Sequence, residues 1–160
     1  LSVTSASKTF NLAGLKCAEM IAGSTSTQRL LDELPLEVEW RAALFGAISN
    51  VVAFTDADEW LSAVLECLDS NRRLLTELLE THLPKAQYRL PEASYLAWVD
   101  LSAYPELGDN PSVLALAKAK VAFGIGPDFG RGGAGHIRVN FACAPEVLTE
   151  AIERLATLVD

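Results

Sequence analysis

The stretch DADEWLSAVLECLDSNRRLLTELLETHLP, residues 56–84, decides how this chain is organised. Apolar residues recur along it at helical spacing, at Trp60, Leu61, Val64, Leu68, Leu75, Leu78 and Leu79. Asp56 and Glu59 suit a helix start, and Pro84 ends the pattern. About 27 residues at a rise of about 1.5 Å each predict a helix roughly 40 Å long. Because a helix of this length often connects two lobes, we place a domain boundary near Asp56.

The sequence on both sides of this helix mixes strand and helix patterns. Before it, residues 1–7 alternate as a short strand, residues 14–22 suit a buried strand or the turn before one, and helical patterns follow over residues 28–34 and 36–54. After it, strand patterns cover residues 94–101, 121–125 and 136–141, and helix patterns cover residues 111–120 and 145–158. This order predicts an α/β fold whose carboxyl-terminal lobe has helices on one face of a short sheet.

Composition narrows the class of function. The 160 residues carry a formal net charge of −8, which argues against a nucleic-acid partner or an anionic membrane surface. The longest apolar stretch, residues 42–54, is too short to span a bilayer. Cys17, Cys67 and Cys143 are widely spaced and form no metal motif, so we expect reduced, buried cysteines in a cytoplasmic protein and no metal site.

A glycine-rich motif of the GxGxxG type occurs at residues 130–135. In dinucleotide-binding proteins this motif follows a strand and opens a helix, whose N–H groups meet the pyrophosphate. Here it leads into the strand pattern of residues 136–141. We therefore predict a hairpin or mobile loop and no nucleotide site.

Two residues are candidates for chemistry, and each also has an ordinary explanation. Lys8 lies among the hydroxyls of Ser5 and Ser7, which could hold a phosphate or simply cap a turn. A lysine becomes a Schiff-base nucleophile when burial or nearby cations destabilise its ammonium, but by its pattern alone Lys8 is better explained as a surface lysine. Arg138 shares the polar face of a strand with His136 and Asn140. Its guanidinium could clamp a carboxylate or lie at the surface, and the surface is favoured by spacing alone.

Three separated segments together resemble one enzyme family. They are TSASKTFNLAGL at residues 4–15, YRLPEASYLAWVD at residues 88–100 and FGRGGAGHIRVNFACAP at residues 129–145. All three are similar, in the same order, to motifs of the MalY/PatB-type C–S β-lyases, which are cystathionine β-lyases of the class I/II aminotransferase superfamily and fold-type I enzymes. The stretch from Glu59 to Asn71 resembles the inter-domain helix of this family.

The resemblance implies a role for each matching residue. Lys8 would hold pyridoxal 5′-phosphate (PLP) covalently and move the α-proton of the substrate. Ser5 and Ser7 would bind the cofactor, Ser5 through its phosphate, and Lys16 stands where relatives often place a phosphate-binding arginine. Arg138 would clamp the α-carboxylate of an amino-acid substrate. The implied reaction is β-elimination of a C–S bond, which converts cystathionine or cysteine conjugates to pyruvate, ammonia and a thiol.

The resemblance also implies that this chain is the carboxyl-terminal portion of a larger, homodimeric enzyme. Residues 1–55 would be the end of a large PLP-binding domain, and residues 56–160 the inter-domain helix and small domain. The chain alone is then expected to be inactive. Two alternatives remain open: the parent is an aminotransferase, which would use the same lysine and arginine, or the chain is a non-catalytic α/β binding or assembly module.

Overall fold

The computed structural model describes residues 1–159, which divide into a first compact unit of residues 1–65 and a second unit that begins at Glu66. The first unit holds a two-stranded antiparallel sheet, in which Val3 pairs with Met20. Its elements are β1 (Ser2–Thr4), a 3₁₀ turn (Ala13–Leu15), β2 (Glu19–Ile21), α1 (Thr25–Asp32), a 3₁₀ segment (Leu36–Arg41), α2 (Leu44–Asp56) and the start of α3 (Asp58–His82).

The apolar core of the first unit is small. Ala6, Phe10 and Ala53 are its buried members, with Leu12, Ala57 and Leu61 packed against them. In contrast, α2 leaves several large apolar side chains exposed, at Leu44, Phe45, Ile48, Val51, Val52 and Phe54. In this unit, the large apolar side chains that α2 exposes therefore outnumber the buried members of the core.

The second unit is built on a four-stranded antiparallel sheet of strand order β3-β4-β6-β5. Its strands are β3 (Gln87–Tyr88), β4 (Leu96–Asp100), β5 (Gly124–Ile125) and β6 (His136–Asn140), and its further helices are α4 (Pro111–Leu114), continued by a π-helical turn (Ala115–Ala119), and α5 (Pro145–Ala156). The buried residues of β4 and β6 form one core with leucines and isoleucine of α3 and α5: Ala97, Val99, Ile137, Val139, Leu75, Leu79, Leu148, Ile152 and Leu155. The prediction of helices on one face of a short sheet is thus confirmed.

One polar side chain lies inside this core. Asn71 of α3 is 1% exposed, and its Nδ2 donates to the carbonyl oxygens of Phe141 at 2.9 Å and Cys143 at 2.7 Å. These two carbonyls follow β6, where the chain leaves the sheet for α5. Asn71 therefore ties the long helix to the strand that carries Arg138.

We expect Asn71→Ala to lower the free energy of unfolding by about 2–4 kcal/mol, because it leaves buried carbonyl groups without a donor. Chemical denaturation of the chain measures the loss. Ser70→Ala is the matched control, since Ser70 is the exposed neighbour of Asn71 on α3. Equal effects of the two substitutions would contradict the role given to Asn71.

The glycine-rich motif lies in the connection between β5 and β6, which pair antiparallel. A Cβ atom at Gly126 or at Gly133 would collide with backbone carbonyl atoms of the other. Gly130 and Gly132 have φ of +104° and +89°, in the left-handed region that favours glycine. The motif therefore lies in a connection between two antiparallel strands, which confirms the predicted hairpin, while the absence of a nucleotide site stays a prediction.

Several sequence-based bounds need correction. The apolar stretch 36–54 is two elements, since a 3₁₀ segment ends at Arg41 before α2 begins at Leu44. The strand predicted as buried is β2, whose Met20 and Ile21 are exposed. The three cysteines are free as expected, but Cys67 is exposed and the other two are half-buried. Two compact units are described, while the predicted domain split at residues 55 and 56 stays a prediction.

Candidate active site

The turn that follows β1 carries Lys8. The N–H of Phe10 donates to the carbonyl oxygen of Ala6 at 3.0 Å, and the N–H of Ser7 donates to Ser5 Oγ at 3.3 Å. Ser5 and Ser7 are half-buried, whereas Lys8 is exposed. Ser5 thus caps the turn, one of the two roles left open for it, while the Lys8 side chain is exposed.

A second feature of the first unit is a cleft of about 360 Å³ that Ser7, Lys16 and Arg41 line together. Lys16 follows the 3₁₀ turn in the left-handed conformation, with φ of 53°. Its carbonyl oxygen accepts from the N–H of Ala43 at 3.3 Å, which holds the end of the 3₁₀ segment, and with it Arg41, beside this cleft. Among residues 1–159, no carboxylate pairs with either cation. Two free cations and a hydroxyl around one cleft suit a phosphate.

Arg138 occupies the middle of β6, between Trp98 on β4 and Gly124 on β5. Its guanidinium carbon lies 4.4 Å from the ring centroid of Phe129, a cation–π contact. A Cβ at Gly124 would lie 3.0 Å from Arg138 Cβ and 3.2 Å from its Nε, so the absence of a side chain there leaves room for the arginine. The side chain is half-buried and stacked, unlike an ordinary surface arginine.

Arg138 also lines a cavity of about 370 Å³ in the second unit, together with Lys120, Asn140, Cys143 and Arg154. Arg154 is paired with Glu150 at 2.6 Å, but no carboxylate pairs with Arg138 in the described part of the chain. Burial raises the pKa of the Cys143 thiol, and the nearby Cys67 adds to the effect, which keeps this thiol protonated and unreactive. The cavity has the size of a small-ligand site, and Arg138 is one of its lining residues.

His136 has more partners than its sequence pattern indicated. Its ring stacks on Trp98 at 5.2 Å, its Nδ1 lies 2.8 Å from the carbonyl oxygen of Ala134, and its Nε2 lies 3.8 Å from Asp100 Oδ2. Trp98 also meets Phe129 edge-on at 5.5 Å. The polar face of β6 is therefore an aromatic surface around Arg138.

Asp100 is the last residue of β4 and pairs with His136 of β6. Hydrogen bonds from the Ser102 hydroxyl and from its N–H, the latter at 2.8 Å, lower the pKa of Asp100, partly opposed by burial and helped by His136. A lowered pKa means that the carboxylate stabilises the fold above the pKa of an unfolded aspartate, about 3.9, and loses this effect as the pH falls through the folded value.

We expect Asp100→Asn to lower the free energy of unfolding by about 1 kcal/mol at pH 7. The difference from the unsubstituted chain should shrink as the pH falls below about 4, because the aspartate of the unfolded chain binds its proton first, and vanish below the lowered pKa of the folded chain. Denaturation curves recorded between pH 3 and 7 measure this. Asp109→Asn is a control at an exposed aspartate with no such bonds. A difference that does not change with pH would contradict the assignment.

The structure brings part of the predicted site together. Ser5, Ser7 and Lys8 share one turn, and Ser7 and Lys16 share one cleft, whereas Arg138 lies in the second unit. Sequence reasoning missed Arg41, Trp98 and Gly124. Only Trp98 had a signal, because it belongs to the segment that resembles the C–S lyases. In residues 1–159, no cluster of His, Cys, Asp or Glu could hold a metal ion, and no helix is long and apolar enough to cross a membrane.

An α/β lobe with an arginine on its sheet, preceded in the chain by a lysine turn among serines, agrees with the resemblance to PLP enzymes of the aminotransferase type. The family model for aminotransferases of class I and II matches residues 1–155, and the chain belongs to this family.

Named relatives and solved structures agree with this. A protein of Mycobacterium tuberculosis, provisionally named a cystathionine beta-lyase, is 39% identical over 97% of this chain and 42% of its own length. Cystathionine beta-lyase PatB of Bacillus subtilis is 31% identical over 97% of this chain and 41% of its own. The PLP-bound C–S lyase of Staphylococcus hominis, in its external aldimine form with L-cycloserine, superposes with a TM-score of 0.88 at 29% identity, over 98% of this chain and 40% of that one. The chain spans about two fifths of the length of these proteins.

Proposed function

We propose that this chain is the carboxyl-terminal portion of a PLP-dependent C–S β-lyase that cleaves cystathionine or related cysteine conjugates to pyruvate, ammonia and a thiol. The observation that carries the proposal is Arg138: it is half-buried, its guanidinium stacks on Phe129, it lines a cavity, and it has no carboxylate partner among residues 1–159. Such a group is ready for the α-carboxylate of an amino acid, which it can bind in bidentate fashion.

The residues of the first unit fit the cofactor by their donor chemistry. Lys8 offers an exposed amine, and Ser7, Lys16 and Arg41 offer a hydroxyl and two cations around one cleft, neither cation being paired with a carboxylate of residues 1–159. When bound, PLP supplies the electron sink that makes loss of the α-proton possible. Lys8 would hold the cofactor and then take this proton, Ser5 and Ser7 would help to position the phosphate, and Lys16 would balance its charge. Arg138 would orient the substrate by its carboxylate.

The full-length protein of this proposal joins the present chain to the amino-terminal portion that its relatives have. Sequencing upstream of Leu1 and the intact mass of the native protein test this directly. We propose that it is cytoplasmic and homodimeric. The free cysteines support the first point and the exposed apolar residues of α2 support the second, and sedimentation of the native protein measures the second.

A second candidate is an aminotransferase, because the family that matches residues 1–155 is named for that reaction. Incubation of the full-length protein with cystathionine separates the two. Pyruvate and a free thiol without any acceptor indicate elimination, while a requirement for a 2-oxo acid indicates transamination. A native mass equal to that of the 160-residue chain would instead favour the non-catalytic module.

A further inference from the structure

The turn that carries Lys8 is anchored to α2 on two sides. On the apolar side, Ala6 is fully buried and Phe10 is 8% exposed, and both pack with Ala53 of α2. The ring of Phe10 also meets Phe54 edge-on at 5.4 Å and stacks on Trp60 at 6.1 Å. Lys8 lies between these two buried residues, and so the position of its backbone follows theirs.

On the polar side, the backbone N–H of Ala6 is bonded by a buried side-chain amide. The N–H of Ala6 donates to Asn50 Oδ1 at 3.2 Å, and Asn50 is only 5% exposed. The Nδ2 of Asn50 in turn donates to Glu19 Oε1 on β2. Because a carboxylate only accepts, Glu19 keeps the amide nitrogen turned toward β2 and leaves Oδ1 to face the turn.

We propose that Asn50 and Glu19 are positioning residues that hold the Lys8 turn in the geometry its chemistry requires. This rests on the proposed function, in which Lys8 carries the cofactor. The bond from Ala6 fixes the chain two residues before Lys8, and the bond to Glu19 fixes the orientation of the amide that makes it. Neither residue needs to touch the substrate or the cofactor to have this effect.

A reversal of donor and acceptor tests the proposal. In Asn50→Asp, the new carboxylate still accepts from the N–H of Ala6 but faces the Glu19 carboxylate, so the turn should lose its orientation. Adding Glu19→Gln supplies a side-chain donor to that carboxylate and should restore the pair with its polarity reversed. Glu37→Gln is the charge-matched control, because Glu37 is exposed.

Two measurements read the outcome. In the full-length protein, borohydride trapping of PLP at Lys8, followed by peptide mapping, is expected to be about tenfold slower in Asn50→Asp, unchanged in Glu37→Gln, and within about threefold of normal in the double variant. In the 160-residue chain, hydrogen exchange of the Ala6 amide should be fastest in Asn50→Asp and close to that of the unsubstituted chain in Glu37→Gln and in the double variant. A general loss of folding would not be reversed by the second substitution.

The failures are distinguishable. If the unsubstituted full-length protein shows no labelling at Lys8, the proposed function is overturned, and the positioning role with it. If Lys8 is labelled normally in the unsubstituted protein and equally fast in Asn50→Asp, the positioning role alone is overturned. The same holds if the double variant traps PLP no faster than Asn50→Asp.

Discussion

Lys8→Ala in the full-length protein is expected to abolish borohydride-trapped PLP at this position and to lower the rate of elimination from cystathionine at least about 10³-fold. The reason is chemical, since alanine offers neither an amine to hold the cofactor nor a base for the α-proton. Lys8→Arg should fail as well, because it keeps the positive charge without a nucleophilic amine. Peptide mapping of the reduced protein and pyruvate release measure the two losses.

Controls for this substitution come from the other lysines. Lys16→Ala should weaken PLP binding while Lys8 remains labelled. Lys16 lines the cleft proposed for the cofactor phosphate, but it does not carry the cofactor. Lys118→Ala, at an exposed lysine of the second unit, should change nothing. The chain of 160 residues by itself is expected to label poorly, and efficient labelling of that chain would refute the need for an amino-terminal portion.

Arg138→Ala is expected to cost roughly 2–5 kcal/mol of substrate binding, which is roughly 30- to 5,000-fold in kcat/KM. The cost is large because the α-carboxylate would lose a desolvated, bidentate partner. Arg138→Lys should recover only part of it, since an ammonium keeps the charge but lacks the planar fork. Steady-state kinetics with cystathionine measure the effect.

The control for Arg138 is Arg131→Ala, an exposed arginine in the glycine-rich connection of the same unit. Phe129→Ala should fall between the two, because it removes the ring on which the guanidinium stacks but leaves its donors in place. An unchanged kcat/KM in Arg138→Ala would sink the assignment of this residue to the substrate carboxylate.

Local patterns in the sequence predicted much of the architecture. Helical spacing predicted a long helix from residue 56, and α3 covers Asp58–His82. Alternation predicted a strand over residues 136–141 with Arg138 on its polar face, and Ile137 and Val139, on the opposite face, are in the core. These predictions succeed because periodicity is a property of one element, which its own residues determine.

Such patterns could not predict which residues of different elements contact each other. Alternation placed Arg138 on a face but not opposite Trp98 and Gly124, because register depends on where two strands meet. Asn50 and Glu19 are 31 positions apart and came together only through packing of α2 beside β2. Lys8 became a candidate through its resemblance to a known segment, since its neighbours alone favoured a surface lysine.

The reciprocal approach of Gly126 and Gly133 has a consequence for mutational tolerance. Each backbone fills the space that a side chain on the other would need, so replacing one glycine cannot be rescued by changing the other. Gly130 and Gly132 face open space and are constrained only by their backbone conformation. Gly130, at φ +104° and ψ −162°, lies in a region that is essentially restricted to glycine. In a saturation library, Gly126 and Gly133 should therefore stay glycine because of their backbone contact, and Gly130 because of its φ and ψ. A sequence comparison would then show a persistent glycine signature that records a backbone contact.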